Sequence, residues 1–224
     1  MRPSGFRIGA TLPSTDKPLN EPQTMSARRP IGGGAILAGG QSSRMGRDKS
    51  MLELDGRTFL DRCADALRPI AAPIVVVADV ADRFTSTRWT VVADCFPGAG
   101  PVGGIVTALR TLGRGAHVVV ACDMPFLHTD LLLLLLDAVS DEYDAVVPWP
   151  ESGPEPLCAV YRHTSLPILE EFLAKGGRSA RHALASLGTR PIPAIDLRRT
   201  DPGLESFVNL NTPEDLRRYV VDRP

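Results

Sequence analysis

The stretch ILAGGQSSRMGRDKS, residues 36–50, combines three glycines, three serines and three cations in one short segment. Gly39 and Gly40 carry no Cβ, so their backbone amides can approach an anion closely, and the serine hydroxyls add donors. Arg44 offers a planar fork of donors and Lys49 a point charge, a combination that suits a polyphosphate. The segment therefore predicts a loop that binds phosphate groups.

The loop matches neither of the two common nucleotide-binding patterns. Gly46 is followed by Arg47 where a P-loop has lysine and then serine or threonine, and the glycine spacing is not G-x-G-x-x-G. Charges that simply face water at a turn are the alternative interpretation. Arg44 and Lys49 share the loop with the glycines at the end of the first predicted strand, which favours the polyphosphate.

Acidic residues follow two other apolar runs. TVVADCFPG ends a predicted strand at Asp94, and HVVVACDMPFL ends the most apolar strand at Asp123. The carboxyl ends of neighbouring parallel strands lie about 5 Å apart, so two carboxylates can converge on one cation. Mg²⁺ uses few protein carboxylates and completes its shell with water and phosphate oxygens. The pattern predicts Asp123 as a metal ligand, whereas for Asp94 a role in shaping the turn is an equal alternative.

Two further segments could contact a ligand. In GAGPVGGI, residues 98–105, the glycines around Gly100 precede a predicted helix and either form a tight entry turn or direct free amides at a base or phosphate. In FVNLN, Asn209 and Asn211 alternate with Leu210, so a strand would place both amides on one face. Two amides on one face favour ligand contacts, although Asn211 could simply shape the start of the next helix.

Apolar runs alternate with helical patterns along most of the chain. Several runs are nearly continuous in Val and Ile, as in strands that are covered on both faces. The predicted strands are 35–38, 74–78, 90–93, 117–122, 145–148, 158–161, 191–195 and 207–210. The predicted helices are 59–68, 102–111, 129–140, 165–174, 179–187 and 213–219. This alternation predicts an α/β fold with a doubly wound, mostly parallel sheet, helices on both faces and a ligand beyond the carboxyl ends of the strands.

Size and charge exclude several classes of protein. The 224 residues suffice for one core, and 25 Lys and Arg against 26 Asp and Glu give no sign of binding to nucleic acid or to a membrane surface. The four widely spaced cysteines indicate reduced thiols, so a cytoplasmic location is expected. Residues 1–30, rich in Pro, Ser, Thr and charge, are predicted to be a disordered leader, and residues 31–224 a single domain.

The segment LAGGQSSRMGRDK resembles the signature loop of the molybdenum cofactor guanylyltransferases, the MobA family of nucleotidyltransferases. CDMPF is similar to the family's C-D-x-P-[FY] element, GPVGG to its G-P-L-x-G element, and FVNLNTPEDL to its closing F-x-N-[VIL]-N-[TS]-P-E-[DE]-L segment. The family often has an asparagine after its second strand, where this chain reads VVVADVADR and offers only Asp79. The resemblance runs from residue 35 to about residue 219 and implies a Rossmann-like nucleotidyltransferase fold.

The resemblance implies transfer of GMP from GTP to the phosphate of molybdopterin, with release of pyrophosphate and with Mg²⁺ as the cofactor. Asp123 would hold the metal, and Arg44 and Lys49 would act with it in catalysis on the phosphates. Transient contacts with molybdoenzymes or other proteins of cofactor biosynthesis are a further expectation. The residues and the resemblance together predict substrate contacts at Leu37, Ala38, Gly39, Gly40, Ser42, Arg44, Lys49, Asp94, Gly100, Asp123, Asn209 and Asn211.

Three alternatives for the function stay open. A related transferase that uses CTP typically reads L-A-A-G where this chain reads L-A-G-G, and Gly40 would leave more room beneath a purine. A sugar-phosphate nucleotidyltransferase and a non-catalytic nucleotide-binding protein are the others. For the second substrate, EPLCAVYRH resembles a strand that lines the acceptor pocket in the family. Arg178 and Arg181 would suit an acceptor phosphate, or they are solvated helix charges.

Overall fold

A seven-stranded sheet lies at the centre of the molecule. The computed structural model describes residues 32–39, 49–84, 89–210 and 215, and for Lys49, Asp82 and Arg83 it describes the backbone alone. The predicted leader lies outside these residues, as does the predicted helix 213–219 except for Asp215, which is helical. No helix in the described ranges is long and apolar enough to cross a bilayer.

The sheet is mixed, with one reversed strand. Its order is β5-β4-β1-β6-β8-β7-β9, while β2 and β3 form a separate small hairpin. β8 runs antiparallel to both of its neighbours, β6 and β7, and every other pair in the sheet is parallel. The predicted mostly parallel sheet is therefore confirmed. The strands are β1 (Gly34–Leu37), β2 (Glu53–Leu54), β3 (Arg57–Thr58), β4 (Ile74–Ala78), β5 (Thr90–Ala93), β6 (Ala116–Ala121), β7 (Ala145–Trp149), β8 (Cys158–Arg162) and β9 (Thr189–Pro193).

Helices cover both faces of the sheet, as predicted. They are α1 (Phe59–Leu67), α2 (Pro101–Leu112), α3 (Thr129–Asp137), α4 (Ser165–Ala174), α5 (Ala180–Ala183) and α6 (Ala194–Leu197). One core contains Leu60 of α1 and Leu131 of α3, packed against the even-numbered residues of β1 and β6. The other contains Leu109 of α2 and Leu169 of α4, packed against their odd-numbered residues. Because both faces are buried, β1 and β6 are apolar at nearly every position rather than at alternate ones, with His117 of β6 as a buried polar exception.

Two predictions at the end of the chain are wrong. Residues 207–210 do not form a strand, since Glu205–Phe207 is a 3₁₀ turn and residues 208–210 have no regular structure. Their apolar side chains pack into a small cluster beside the sheet rather than pairing with a strand. The strand predicted at 191–195 is β9, which ends at Pro193, because that proline stands at the N-cap of α6.

Two helices are shorter than their patterns predict. The helix predicted at 129–140 is α3, which ends at Asp137. The guanidinium of Arg190 donates to the carbonyl oxygen of Ala138 at 2.9 Å, which satisfies a carbonyl group at the helix end. In place of the single helix predicted at 179–187, the structure has α5, which is capped by the Ser179 hydroxyl, followed by the 3₁₀ turn Leu184–Ser186. These differences change the ends of elements and leave the arrangement of the layers as predicted.

Candidate functional site

The carboxyl ends of β4, β1 and β6 lie side by side at one edge of the sheet. The amide of Ala38 donates to the carbonyl oxygen of Val77 at 2.8 Å, and the amide of Cys122 donates to that of Leu37 at 3.1 Å. These bonds continue the parallel ladders just past the last strand residues. The turn that contains Asp123 therefore starts directly beside the glycine loop.

The first residues of the predicted phosphate loop differ in their access to a ligand. The side chain of Leu37 is buried against α2, where a Cβ on Gly104 would lie only 3.3 Å from Leu37 Cδ2. Ala38 is buried, whereas Gly39 is exposed. A Cβ on Gly39 would lie 3.8 Å from the amide nitrogen of Asp79, the residue after β4. Gly39 thus lies at the open end of this edge, and Leu37 shapes the floor beneath it.

Several predicted contacts fall outside what the structure describes. The backbone of Lys49 begins the 3₁₀ turn Lys49–Met51. The side chain of Lys49 lies outside the described part of the chain. Four other predicted contacts lie wholly outside it: Gly40, Ser42, Arg44 and Asn211. The roles assigned to these side chains remain predictions.

Asp94 directly follows β5 and shapes the turn that leads to α2. Its amide donates to the carbonyl oxygen of Ala78 at 2.6 Å, and its Oδ1 accepts from the amide of Phe96 at 2.9 Å. The hydroxyl of Thr107 donates to the same Oδ1 at 2.8 Å. The turn-shaping alternative for Asp94 is confirmed by these bonds, and its contact with a nucleotide remains a prediction.

Asp123 lies in a turn that a buried thiol holds in place. The Cys63 Sγ on α1 donates to the carbonyl oxygens of Ala121 at 3.5 Å and Met124 at 3.4 Å, on either side of Asp123. Burial raises the pKa of Cys63 to about 12, so this group is a neutral thiol that donates at neutral pH. The amide of Leu210 donates to the Asp123 carbonyl oxygen at 3.3 Å. The Asp123 backbone is thus fixed from two sides.

A small apolar cluster, which we call the junction cluster, joins three of the predicted motifs. Its members come from the segment after the glycine loop, the turn after β6 and the closing segment, and they are Leu52, Leu54, Phe59, Phe126, Val208 and Leu210. Asn209 is exposed between two of these members, next to the residue that bonds to Asp123. The structure therefore brings Asn209, Asp123 and the turn that begins at Lys49 into one neighbourhood.

A second carboxylate lies across from Asp123. Asp123 follows Val120 by three residues and Glu155 precedes Cys158 by three, and Val120 pairs with Cys158 in the β6–β8 ladder. Glu155 Oε1 accepts from Arg181 at 2.9 Å, with 16% of the Glu155 side chain and 53% of the Arg181 side chain exposed. Burial raises the pKa of Glu155, the charge of Arg181 opposes this, and the charge of Asp123 adds to it. The reversed direction of β8 thus brings Glu155 and Arg181 to the site.

Gly100 occupies the tight entry to α2. Its φ of 68° lies in the left-handed region that favours glycine, and Pro101 follows as the first helical residue. A Cβ there would lie 3.0 Å from the carbonyl oxygen of Arg178. The guanidinium of Arg178 donates to the carbonyl oxygens of Gly177 at 2.8 Å and Leu173 at 3.4 Å. Of the two arginines predicted for an acceptor phosphate, Arg181 is therefore the one whose side chain joins the carboxylates of the site.

The donor set at this edge suits a magnesium ion. The described residues contain no group of three or more His, Cys, Asp or Glu that could hold a metal. Mg²⁺ binds through one or two carboxylates plus water and substrate phosphates, and Asp123 with Glu155 nearby provides oxygen ligands of that kind.

Residues 34–190 match the MobA-like NTP transferase domain. The chain belongs to this family. A molybdenum cofactor guanylyltransferase of Desulfosudis oleivorans is 36% identical over 186 residues, which cover 83% of this chain and 92% of that protein. A probable molybdenum cofactor guanylyltransferase of Methanothermobacter thermautotrophicus is 36% identical over 192 residues, 82% of this chain and 96% of that protein. The crystal structure of molybdopterin-guanine dinucleotide biosynthesis protein A from Archaeoglobus fulgidus is similar with a TM-score of 0.72 and 32% identity, over 83% of this chain and 95% of that one.

Sequence reasoning missed two residues that position the site of this MobA-like transferase. Thr107 holds Asp94, and Cys63 holds the turn around Asp123. A hydroxyl in the middle of an apolar helix was a usable signal for Thr107, because a buried polar group requires a partner. Nothing in the sequence around Cys63 distinguishes it from an ordinary core residue.

Proposed function

We propose that the protein transfers GMP from GTP to the terminal phosphate of molybdopterin and releases pyrophosphate. The observation that carries this proposal is the 3.1 Å bond from the Cys122 amide to the Leu37 carbonyl oxygen, because it sets Asp123 beside the glycine loop. A carboxylate next to a phosphate-binding loop at the carboxyl edge of a parallel sheet is the arrangement that a nucleotidyltransferase needs. The names of the two relatives support guanylyl transfer to the molybdenum cofactor, and the name of the similar crystal structure supports molybdopterin as the acceptor.

The proposed reaction makes and breaks one bond at the α-phosphorus. An oxygen of the acceptor phosphate forms the new bond, and the bond from the α-phosphorus to the bridging oxygen breaks, so that pyrophosphate leaves with the electron pair. A phosphate monoester has a second pKa of about 6, so the acceptor is already largely a dianion at neutral pH. A general base is not required, and the task of the protein is to align the reactants and to compensate charge.

We assign the charge compensation to three parts of the site. Asp123 would hold the Mg²⁺, which when bound neutralises charge on the phosphate groups. Arg44 and Lys49 would contact the triphosphate from the glycine loop. On the other side, Arg181 has donors beyond the one that it gives to Glu155, and they suit the acceptor phosphate. Asn209 lies near Asp123 and would add a polar contact.

A pyrophosphate-release assay with purified protein, Mg²⁺, molybdopterin and each of the four nucleoside triphosphates tests the proposal. We expect turnover with GTP, together with a product whose mass equals molybdopterin plus GMP. Preferential turnover of CTP would instead indicate the cytidylyl transfer considered above. Turnover with a sugar 1-phosphate in place of molybdopterin would indicate a sugar-phosphate enzyme.

The variant Asp123→Asn tests whether this carboxylate takes part in the reaction. We expect kcat to fall by about 100-fold or more, since charge stabilisation in the transition state is lost. Asp137→Asn, an exposed aspartate at the end of α3, is the matched control and should retain normal turnover. Pyrophosphate release by Asp123→Asn at the wild-type rate would contradict an enzymatic role for this residue.

A further inference from the structure

Thr107 is a buried hydroxyl within an apolar stretch of α2. Only 1% of its surface is exposed, and its neighbours Val106 and Ala108 are fully buried in the same core. A buried hydroxyl requires hydrogen-bond partners. It donates to Asp94 Oδ1 at 2.8 Å and accepts from the amide of Cys95 at 3.0 Å.

These bonds divide the two oxygens of Asp94 between different tasks. Oδ1 accepts from both Thr107 and the amide of Phe96, and the backbone of Asp94 is itself tied to Ala78. Rotation of the carboxylate would break both side-chain bonds at once. Oδ2 takes no part in them, so one oxygen is fixed by the protein and the other has a defined position at the sheet edge.

The chemistry of an ionised carboxylate limits what Oδ2 can bind. As a hydrogen-bonding group a carboxylate only accepts, so its partners are N–H or O–H groups. A cation shared with Asp123, which the sequence pattern allowed, is ruled out as the partner because β4 and β1 lie between β5 and β6. The phosphates of a nucleotide are anionic and would be repelled by it. In a bound nucleotide, the partners of Asp94 are therefore the donors of the base or the ribose hydroxyls.

We infer that Thr107 is a positioning residue for nucleotide binding, which fixes Asp94 so that its free oxygen meets donors on the nucleoside half of the substrate. The inference rests on the proposed function and on the contact between Asp94 and the nucleotide that the sequence predicts. A role in stability alone would affect unfolding and leave nucleotide affinity unchanged. The two roles are separable because Thr107 is buried and its hydroxyl bonds to Asp94 and to the Cys95 amide, so that it can influence a ligand only indirectly, through this turn.

The test compares Thr107→Val, which removes the hydroxyl at similar volume, with Thr107→Ser, which keeps it. Calorimetric Kd for GTP is measured beside KM and kcat in the pyrophosphate assay. We expect Thr107→Val to raise Kd and KM for GTP about tenfold, the loss expected for one hydrogen bond to a charged group, with kcat and the KM for the acceptor within about twofold. Thr107→Ser should stay within about twofold of wild type in every parameter.

Two further variants separate positioning from a general effect on α2. Thr111→Val is the matched control one turn along, where the hydroxyl donates to the Thr107 carbonyl oxygen at 2.8 Å and does not touch Asp94; it should bind GTP normally. The second is the double variant Asp94→Asn with Thr107→Val, which is compared with Asp94→Asn alone. Adding Thr107→Val to Asp94→Asn should alter the Kd for GTP by less than about twofold. Should Thr107→Val not fold, Thr107→Ala provides the same comparison.

The outcomes distinguish this inference from the proposed activity. Normal GTP affinity in Thr107→Val, or equal weakening in Thr107→Ser, overturns the inference. Multiplicative effects of Thr107→Val and Asp94→Asn also overturn it, because they would show that Thr107 acts by another route. A wild type that binds GTP but releases no pyrophosphate refutes the proposed reaction, while the Kd series still tests Thr107. A wild type that binds no GTP overturns both.

Discussion

Replacing Asp201 with asparagine would test how the closing segment is held next to Asp123. Asp201 is only 1% exposed, and its two carboxylate oxygens accept from the amides of Glu205 at 2.9 Å and Ser206 at 2.8 Å. The Ser206 hydroxyl oxygen in turn accepts from the amide of His128 at 3.0 Å. The chain of bonds links the 3₁₀ turn before Asn209 to the start of α3.

The size of the effect follows from these bonds. Asparagine keeps one acceptor oxygen and presents an NH₂ group to the other amide, so one bond is lost and the second is no longer strengthened by charge. Hydrogen bonds to charged groups contribute about 1.5 to 3 kcal/mol each, and we expect Asp201→Asn to lower the free energy of unfolding by about 3 kcal/mol. For a chain of this length, that corresponds to a fall in Tm of roughly 6 to 12 °C.

Urea denaturation measures this change directly. The midpoint should fall while the slope m stays constant, which identifies a loss of stability rather than a different unfolded state. Asp55→Asn is the control, since 80% of the Asp55 side chain is exposed and it forms a surface ion pair with Arg62 at 2.9 Å; this change should alter the free energy of unfolding by less than about 0.5 kcal/mol. If Asp201→Asn were as mild as this control, the buried bonds could not anchor the segment.

Two further predictions concern titratable groups, a buried histidine and the cysteine thiols. Burial and the neighbouring His163 lower the pKa of His117 below its ordinary value of 6.5, so the unfolded chain takes up the proton more readily and unfolding free energy should fall as pH drops below about 6.5. Urea midpoints at pH 8 and 5.5 should show this loss, and His117→Gln should make the difference between the two midpoints smaller. If the difference were the same in His117→Gln as in wild type, His117 would not be its cause. Among the thiols, the exposed Cys95 should react first with a thiol reagent. Cys63 and Cys158 should react only on unfolding, because both are buried and burial raises the pKa of each thiol. Fast labelling of Cys63 in the native protein would contradict this order.

The layers of the fold were predictable because burial on both faces leaves a direct mark on the sequence. The continuous run of Ile and Val at 74–78 predicted β4 with its correct ends. The direction of β8 was also predictable, from the length of the connection that precedes it rather than from the pattern of residues in the strand. Eight residues separate Trp149 from Cys158, fewer than a parallel crossover requires, so the two strands had to be antiparallel.

The closing segment shows why a pattern can predict the right contacts and the wrong element. In FVNLN the apolar side chains of Val208 and Leu210 alternate with polar ones, which is typical of a strand. Here the alternation serves the junction cluster, which no local pattern reveals because its members come from three distant segments. Asn209 is nonetheless exposed beside the turn of Asp123, as a strand would also have placed it.

For Asp94, the two interpretations offered by the sequence are compatible. The sequence presents turn shaping and ligand contact as alternatives for Asp94, because a residue pattern treats the side chain as a single group with a single role. A carboxylate has two oxygens, and the bonds from Thr107 and Phe96 use only Oδ1. The bonds that shape the turn also fix the orientation that a ligand contact would require.

The proposed contact with a triphosphate would account for the cations of the glycine loop. Asp94, Asp123 and Glu155 all lie at this edge, with Arg181 paired to one of them. Asp94 follows β5, two strands away from β6, so the carboxylates nearest to a triphosphate on the glycine loop are Asp123 and Glu155, and their charge would repel it. Binding there requires added positive charge, which Arg44, Lys49 and Mg²⁺ are proposed to supply. Loss of one loop cation should therefore weaken GTP binding more at low Mg²⁺ than at saturating Mg²⁺, whereas a cation that only faced water would show no such dependence.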